Sequence, residues 1–207
     1  VYLESALNAD LLVYGRYAAG TMGLARMSVR TGTPITEFRN LDPFEGLFAG
    51  VEPWSKALAG KRVLVIHPFT ESITGQFKKK SKVSGMKSIL PDCSITTIRP
   101  PVTFAEEASS ETWGQHLTLL KHQVAECDFD VALIGAGGYG LPIGDFIKRS
   151  GKQAIHLGGI LQLLFGIRGK RWEQDSKMQQ IIDQTWVRPV DSEIPKGSWR
   201  VEGGAYW

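Results

Sequence analysis

The sequence predicts an α/β protein, with a mainly parallel sheet and crossover helices, a helical N-terminal lead-in and an irregular C-terminal tail. Three observations carry this reading. Short apolar runs suited to strands recur at Val63-Leu64-Val65-Ile66, Ser94-Ile95-Thr96-Thr97-Ile98, Val131-Ala132-Leu133-Ile134 and Gln153-Ala154-Ile155-His156-Leu157. Longer stretches with helical spacing separate them, the pattern of parallel strands joined by crossover helices. The third run leads straight into Gly135-Ala136-Gly137-Gly138-Tyr139-Gly140, a turn of the kind that ends a parallel strand and opens a helix.

In chain order, residues 1 to about 50 form the lead-in. Apolar spacing in Tyr2-Leu3-Glu4-Ser5-Ala6-Leu7 reads as helix and Thr31-Gly32-Thr33-Pro34 as a turn. The α/β core spans residues 61–172. Within it, Glu107–Glu126 repeats Trp113, Leu117, Leu120 and Val124 at helical spacing, so this face is expected to pack on the sheet. A short helix around Ile143–Arg149 joins the last two strands; Lys148 and Arg149 suit its final turn and Gly151 its end. Residues 173–207 supply a helix near Met178–Ile182 and then the tail Arg188–Trp207, which lacks periodicity. Lys78-Lys79-Lys80 with Lys82 reads as a solvated helix face. The whole is expected to be a single domain, 1–207.

Composition narrows the class. At 207 residues, 43% hydrophobic and 22% charged, the chain can bury a core without disulfide or metal support. Lys and Arg exceed Asp and Glu by only 24 to 21, so no nucleic-acid partner is expected. Cys93 and Cys127 form neither a disulfide framework nor a zinc pattern, which favours a reducing, cytoplasmic setting. Charged residues interrupt the first thirty positions and every apolar run is short, so neither a signal segment nor an integral membrane segment is expected. The chain opens on Val1 rather than Met, and an upstream segment is expected.

The strongest local signal is the strand and turn Asp130–Gly140, whose glycines satisfy G-x-G-x-x-G. Such a turn presents backbone N–H groups beside a helix N-terminus, an arrangement that binds phosphate; glycine also serves where a strand must turn sharply. A dinucleotide site would add an acidic residue at the end of the next strand, and here that strand ends in His156-Leu157-Gly158-Gly159. The missing carboxylate argues against NAD and S-adenosylmethionine. His67 and Arg99 follow other strand ends, so His67, Arg99 and His156 are expected on one edge of the sheet. Arg168, Lys170 and Arg171 lie in a loop beyond that edge and suit a diphosphate. Candidate ligand contacts are therefore His67, Gly135, Gly137, Gly138, Tyr139, Gly140, His156, Gly158, Gly159, Arg168, Lys170 and Arg171. Asp191-Ser192-Glu193 has the Asp-x-Glu form that holds Mg²⁺ or Mn²⁺ in many nucleotide-sugar enzymes, but no strand precedes it.

Three segments, Lys61–Phe69, Asp128–Gly140 and Ile155–Trp172, resemble the glycosyltransferases of bacterial polysaccharide gene clusters that are related to the GT-D fold. The likeness covers most of residues 50–172, with a fainter match at Val201–Trp207. It implies a Rossmann-like domain that binds a nucleoside-diphosphate sugar and passes the sugar to a glycan acceptor, usually with Mn²⁺ or Mg²⁺. In such enzymes the acidic metal motif lies ahead of the region where this chain starts. Residues 1–60 hold no substitute, so no catalytic or metal-binding residue is carried over. The alternatives are a Rossmann-type S-adenosylmethionine or dinucleotide enzyme, and a non-catalytic nucleotide-binding module.

Overall fold

The computed structural model describes residues 1–15, 18–102 and 110–207. The lead-in holds helix α1 (Tyr2–Leu7), strand β1 (Leu12–Tyr14), helix α2 (Ala18–Thr31) and strand β2 (Ile35–Glu37), followed by helix α3 (Pro43–Phe48). Next come β3 (Arg62–Ile66), α4 (Thr70–Phe77), α5 (Met86–Ile89), β4 (Ser94–Ile98), α6 (Trp113–Ala125), β5 (Val131–Ile134), α7 (Gly140–Arg149) and β6 (Gln153–His156). Helix α8 (Lys170–Glu173) precedes a tail of single 3₁₀ turns. Among the described residues, no helix is long and apolar enough to cross a membrane.

All four expected strands join one parallel sheet in the order β4-β3-β5-β6. Strand alternation divides the core into two layers. Val63, Val65, Val131 and Leu133 face α4, α5 and the turns after β6, where Phe69, Ile73, Met86, Ile89 and Phe165 pack. Leu64, Ile66, Ala132 and Ile134 face α6 and α7, against Leu117, Leu120, Val124, Ile143 and Ile147. Burial on both faces explains why β3 and β5 are unbroken apolar runs. The direction of winding across the sheet reverses at their junction: from β3 the chain moves outward to β4, then returns on the other side as β5.

Several expectations are corrected. The lead-in is not only helical and irregular, because β1 and β2 pair in parallel, Leu12 against Ile35; strands of three residues leave no periodic signal. Helix α6 covers the expected stretch from Trp113 onward, and residues 107–109 lie outside the described residues. Helix α7 starts at Gly140, earlier than expected, with Pro142 tolerated in its first turn. The helix expected near Met178–Ile182 is one 3₁₀ turn, Met178–Gln180, followed by a turn in which Asp183 accepts the Thr185 N–H. The lysine run is solvated at Lys78, Lys79 and Lys82 but is not the face of one α-helix: α4 ends at Phe77, Lys80–Lys82 form a 3₁₀ turn, and Lys80 pairs with Asp92 while donating to the Pro91 carbonyl.

The tail, although irregular, is built into the core. Trp186 and Trp207 are buried in the layer that contains α4. Glu193, 2% exposed, accepts the backbone N–H of Glu71 at 2.7 Å and of Ser72 at 3.3 Å, together with the Ser72 hydroxyl. A carboxylate thus caps the N-terminus of α4, where unpaired N–H groups and the helix dipole favour negative charge. Replacing Glu193 by Ala strands those donors and is expected to cost roughly 2–4 kcal/mol, with Glu193→Gln intermediate. Urea denaturation followed by circular dichroism measures both; an unchanged midpoint for Glu193→Ala would remove the cap from the account.

Candidate functional site

The C-terminal edge of the sheet carries the candidate residues, and its centre is the crevice between β3 and β5. Ile66 O accepts from Gly135 N–H, and His67 N–H donates to Ile98 O, so three strands end level. His67 is 3% exposed, and its Nδ1 accepts the Phe69 N–H at 3.1 Å. That bond leaves the proton of the neutral ring on Nε2. Burial pushes the His67 pKa down to about 3. A methyl group at Gly135 would lie 2.5 Å from the His67 ring and 2.8 Å from the Gly158 carbonyl. The structure thus brings His67, Gly135 and Gly158 together, and the first glycine of the motif is small because an imidazole and a carbonyl press on it.

Beyond Gly135 the chain makes a 3₁₀ turn, Gly137–Tyr139, and enters α7. Gly137 has φ +50° with open space where a side chain would stand, and Gly137 and Gly138 are both exposed. Their N–H groups open the first turn, ahead of the bond from Tyr139 N–H to Ala136 O. Buried Tyr139 begins a ladder of rings. Trp113 stacks on it at 5.5 Å with 10° between planes, and Tyr2 stacks on Trp113 at 5.8 Å and 26°. The Tyr2 hydroxyl donates to the Gly138 carbonyl. Trp113 therefore departs from the rest of its helical stripe: Leu117, Leu120 and Val124 enter the core, whereas Trp113 is 37% exposed and lies over the turn. Sequence reasoning passed over Trp113 and Tyr2 as site residues, because helical spacing alone assigns an apolar first-turn residue to the core.

His156 ends β6 and packs against α7. A methyl group at Gly140 would stand 2.1 Å from its Nε2, so the last glycine of the motif makes room for this ring. Along β6 and α7 runs a cavity of about 900 Å³, closed on the far side by α1 and β1. Tyr2, Asn8, Asp145, Lys148 and His156 are in its wall. His156 is exposed at this cavity, and the protein around its ring lowers its pKa by desolvation. Asp145 accepts from Asn8 at 2.6 Å and from Arg149 at 3.0 Å; Lys148 donates to Asn8 O and to Asp10. The lead-in is thereby tied to α7 by charged groups.

Gly159 and the cations Arg168, Lys170 and Arg171 belong to a different neighbourhood, and the expected loop is in part helix, since Lys170 and Arg171 open α8. The Tyr206 ring would lie 2.1 Å from a methyl group at Gly159. Arg171 lies over that ring at 4.9 Å and pairs with Glu202. Arg168 pairs with Glu173 at 3.5 Å, and the Lys170 N–H donates to Trp207 O. Arg99 donates to Ser192 O at 3.4 Å. These contacts bind the tail, whereas those of the Gly137–Gly140 turn are with Tyr2, Trp113 and His156. Asp191-Ser192-Glu193 does not fit Mg²⁺ or Mn²⁺ as a metal pair, since the Glu193 oxygens face N–H and O–H donors. Among the described residues, no three His, Cys, Asp or Glu side chains gather to hold a metal ion.

Compared with models of known protein families, with curated proteins and with solved structures, the chain has no match.

Neutral burial of His67 predicts a pH dependence. Between about pH 6.5 and pH 3 the unfolded chain binds a proton on this residue that the folded chain refuses. Its contribution to stability is therefore complete above pH 6.5 and is lost as pH falls through that window, with a slope approaching about 1.4 kcal/mol per pH unit. Asp42, whose pKa burial raises to about 6, acts in the opposite sense. The difference between the parent and His67→Asn isolates the His67 term, and urea midpoints from pH 4 to 7 should fall more steeply in the parent. Parallel curves would contradict a neutral, buried His67.

Proposed function

We propose that this chain is a Rossmann-like glycosyltransferase domain, which binds a nucleoside-diphosphate sugar at the C-terminal edge of its sheet and passes the sugar to a glycan acceptor. The observation that carries the reading is that Tyr2 and His156 belong both to the cavity wall and to the surroundings of the Gly-rich turn. A diphosphate on the N–H groups of Gly137 and Gly138, both exposed residues, is then continuous with a chamber of the size that small-molecule ligands occupy. The N-terminus of α4 is already filled by Glu193, which leaves the α7 turn to receive an external anion.

In this reading the α7 dipole and the turn amides stabilise charge developing on the leaving diphosphate. His156, whose pKa desolvation lowers, contacts the sugar side of the donor. His67 supports the crevice as an Nε2–H donor; with Nδ1 committed to Phe69 it is not the base that deprotonates the acceptor. Arg171 holds the tail through Glu202, and Arg168 is engaged with Glu173, which also pairs with Arg188 of the tail. A divalent cation enters only as a companion of the nucleotide, because Glu193 is committed to α4.

Calorimetry with UDP, TDP, GDP and their sugars, S-adenosylmethionine and NAD, each with and without Mn²⁺, tests the proposal. A nucleoside diphosphate is expected to bind, and Mn²⁺ alone is expected to bind weakly. His156→Ala should weaken a nucleotide sugar by up to about tenfold, the worth of a hydrogen bond between neutral groups, while sparing the nucleoside diphosphate. Binding of S-adenosylmethionine or NAD in place of the diphosphates would overturn it.

A further inference from the structure

The ring ladder over the Gly-rich turn has an occupant whose geometry describes a ligand. A capping box sets the start of α6: Gln115 N–H donates to the Thr112 hydroxyl, while Thr112 N–H donates to Gln115 Oε1 at 2.7 Å. The next residue, Trp113, is thereby held at the first turn, one face on Tyr139, itself buried at 4% exposure. Trp113 also stacks on Tyr2, a planar ring with a donor that reaches the Gly138 carbonyl, and is itself 37% exposed. Tyr2 is 47% exposed, and the bonds that tie α1 to α7 are made further along the chain, by Ser5 and Asn8 to Asp145. Tyr2 can therefore turn away without releasing α1.

We propose that Trp113 is the nucleobase-stacking residue of the site and that Tyr2 is its internal place-holder. This rests on the reading of the site as one for a nucleoside diphosphate. A base would take the place of the Tyr2 ring on Trp113 and direct an N–H donor at Gly138 O, as the tyrosine hydroxyl does. Uracil and thymine offer such a donor at N3. The ligand class that fits is a nucleoside diphosphate whose base carries a ring N–H, with its phosphates on the adjoining Gly137 turn. Stacking tolerates any flat ring, so the Gly138 carbonyl supplies the discrimination.

The test compares UDP with inorganic pyrophosphate, which has no ring, by calorimetry on the parent, Tyr2→Ala, Trp113→Ala and Trp113→Phe, with melting and circular dichroism as folding controls. Removing Tyr2 vacates the face, so Tyr2→Ala should bind UDP several-fold more tightly and pyrophosphate unchanged. Trp113→Ala should lose about tenfold or more for UDP alone, and Trp113→Phe should keep most of the affinity. N3-methyl-UDP should bind more weakly than UDP. If Trp113→Ala fails to fold, Tyr2→Ala and N3-methyl-UDP decide the matter. UDP binding that none of these changes would overturn the stacking assignment and leave the diphosphate site standing. Failure of both UDP and pyrophosphate to bind the parent and Tyr2→Ala would overturn the diphosphate reading, and this assignment with it.

Discussion

The register that sets Val63 against Val131 and Ile66 against Ile134 brings the carboxyl ends of β3 and β5 level, and the bond from Gly135 N–H to Ile66 O fixes where both chains leave the sheet. Both strands are buried on two faces, so neither can slip by a residue without turning apolar side chains into the wrong layer. His67 must then stand beside residue 135, and only glycine leaves space for its ring. The same logic repeats one strand away, where His156 ends β6 and residue 140 must be glycine. Two imidazoles, whose pKa values desolvation lowers, are thus packed against the first and last glycines of one turn. Gly137 and Gly138, between them, are the part of the motif left open to solvent.

The tail completes this arrangement from the opposite layer. Trp207 packs edge-on to Phe69 at 6.3 Å, and its indole N–H donates to the Glu193 carbonyl at 3.4 Å. Phe69 in turn donates its backbone N–H to His67. A continuous set of contacts therefore runs from the tail through the start of α4 to the crevice. The carboxylate at α4 and the pairs of Arg168 and Arg171 at α8 belong to this clasp, and they neutralise charges that α8 would otherwise present to solvent.

The lead-in has the opposite character. Its α3 enters the apolar layer of α4 through Phe44, but the stretch from α1 to β2 meets the core through charged and aromatic contacts such as Asn8 with Asp145 and Tyr2 with Trp113, and a large cavity remains between it and β6. Polar contacts at a boundary of this kind are individually weak and exchangeable with water. A segment held so is suited to meet a ligand, while the layers around β3 and β5 keep the turn in place.

Much of the architecture was legible in the chain itself. Runs such as Val63–Ile66 and Val131–Ile134 have no reading but buried strands, since an unbroken apolar stretch bounded by turns needs cover on both faces, and Gly151 after Lys148-Arg149 marks a helix end by local backbone chemistry. The Gly-rich turn was equally visible, because strand, glycines and helix are contiguous. Local patterns stop at contacts distant in sequence. Nothing near Glu193 shows that it will cap a helix about 120 residues earlier, nothing near Gly140 names His156, and the spacing of Trp113 matches its buried neighbours although its ring leaves the core to meet Tyr2. Periodicity records which face a residue occupies along its own element; whether that face meets the sheet, a turn or the opposite end of the chain is decided by how the elements pack.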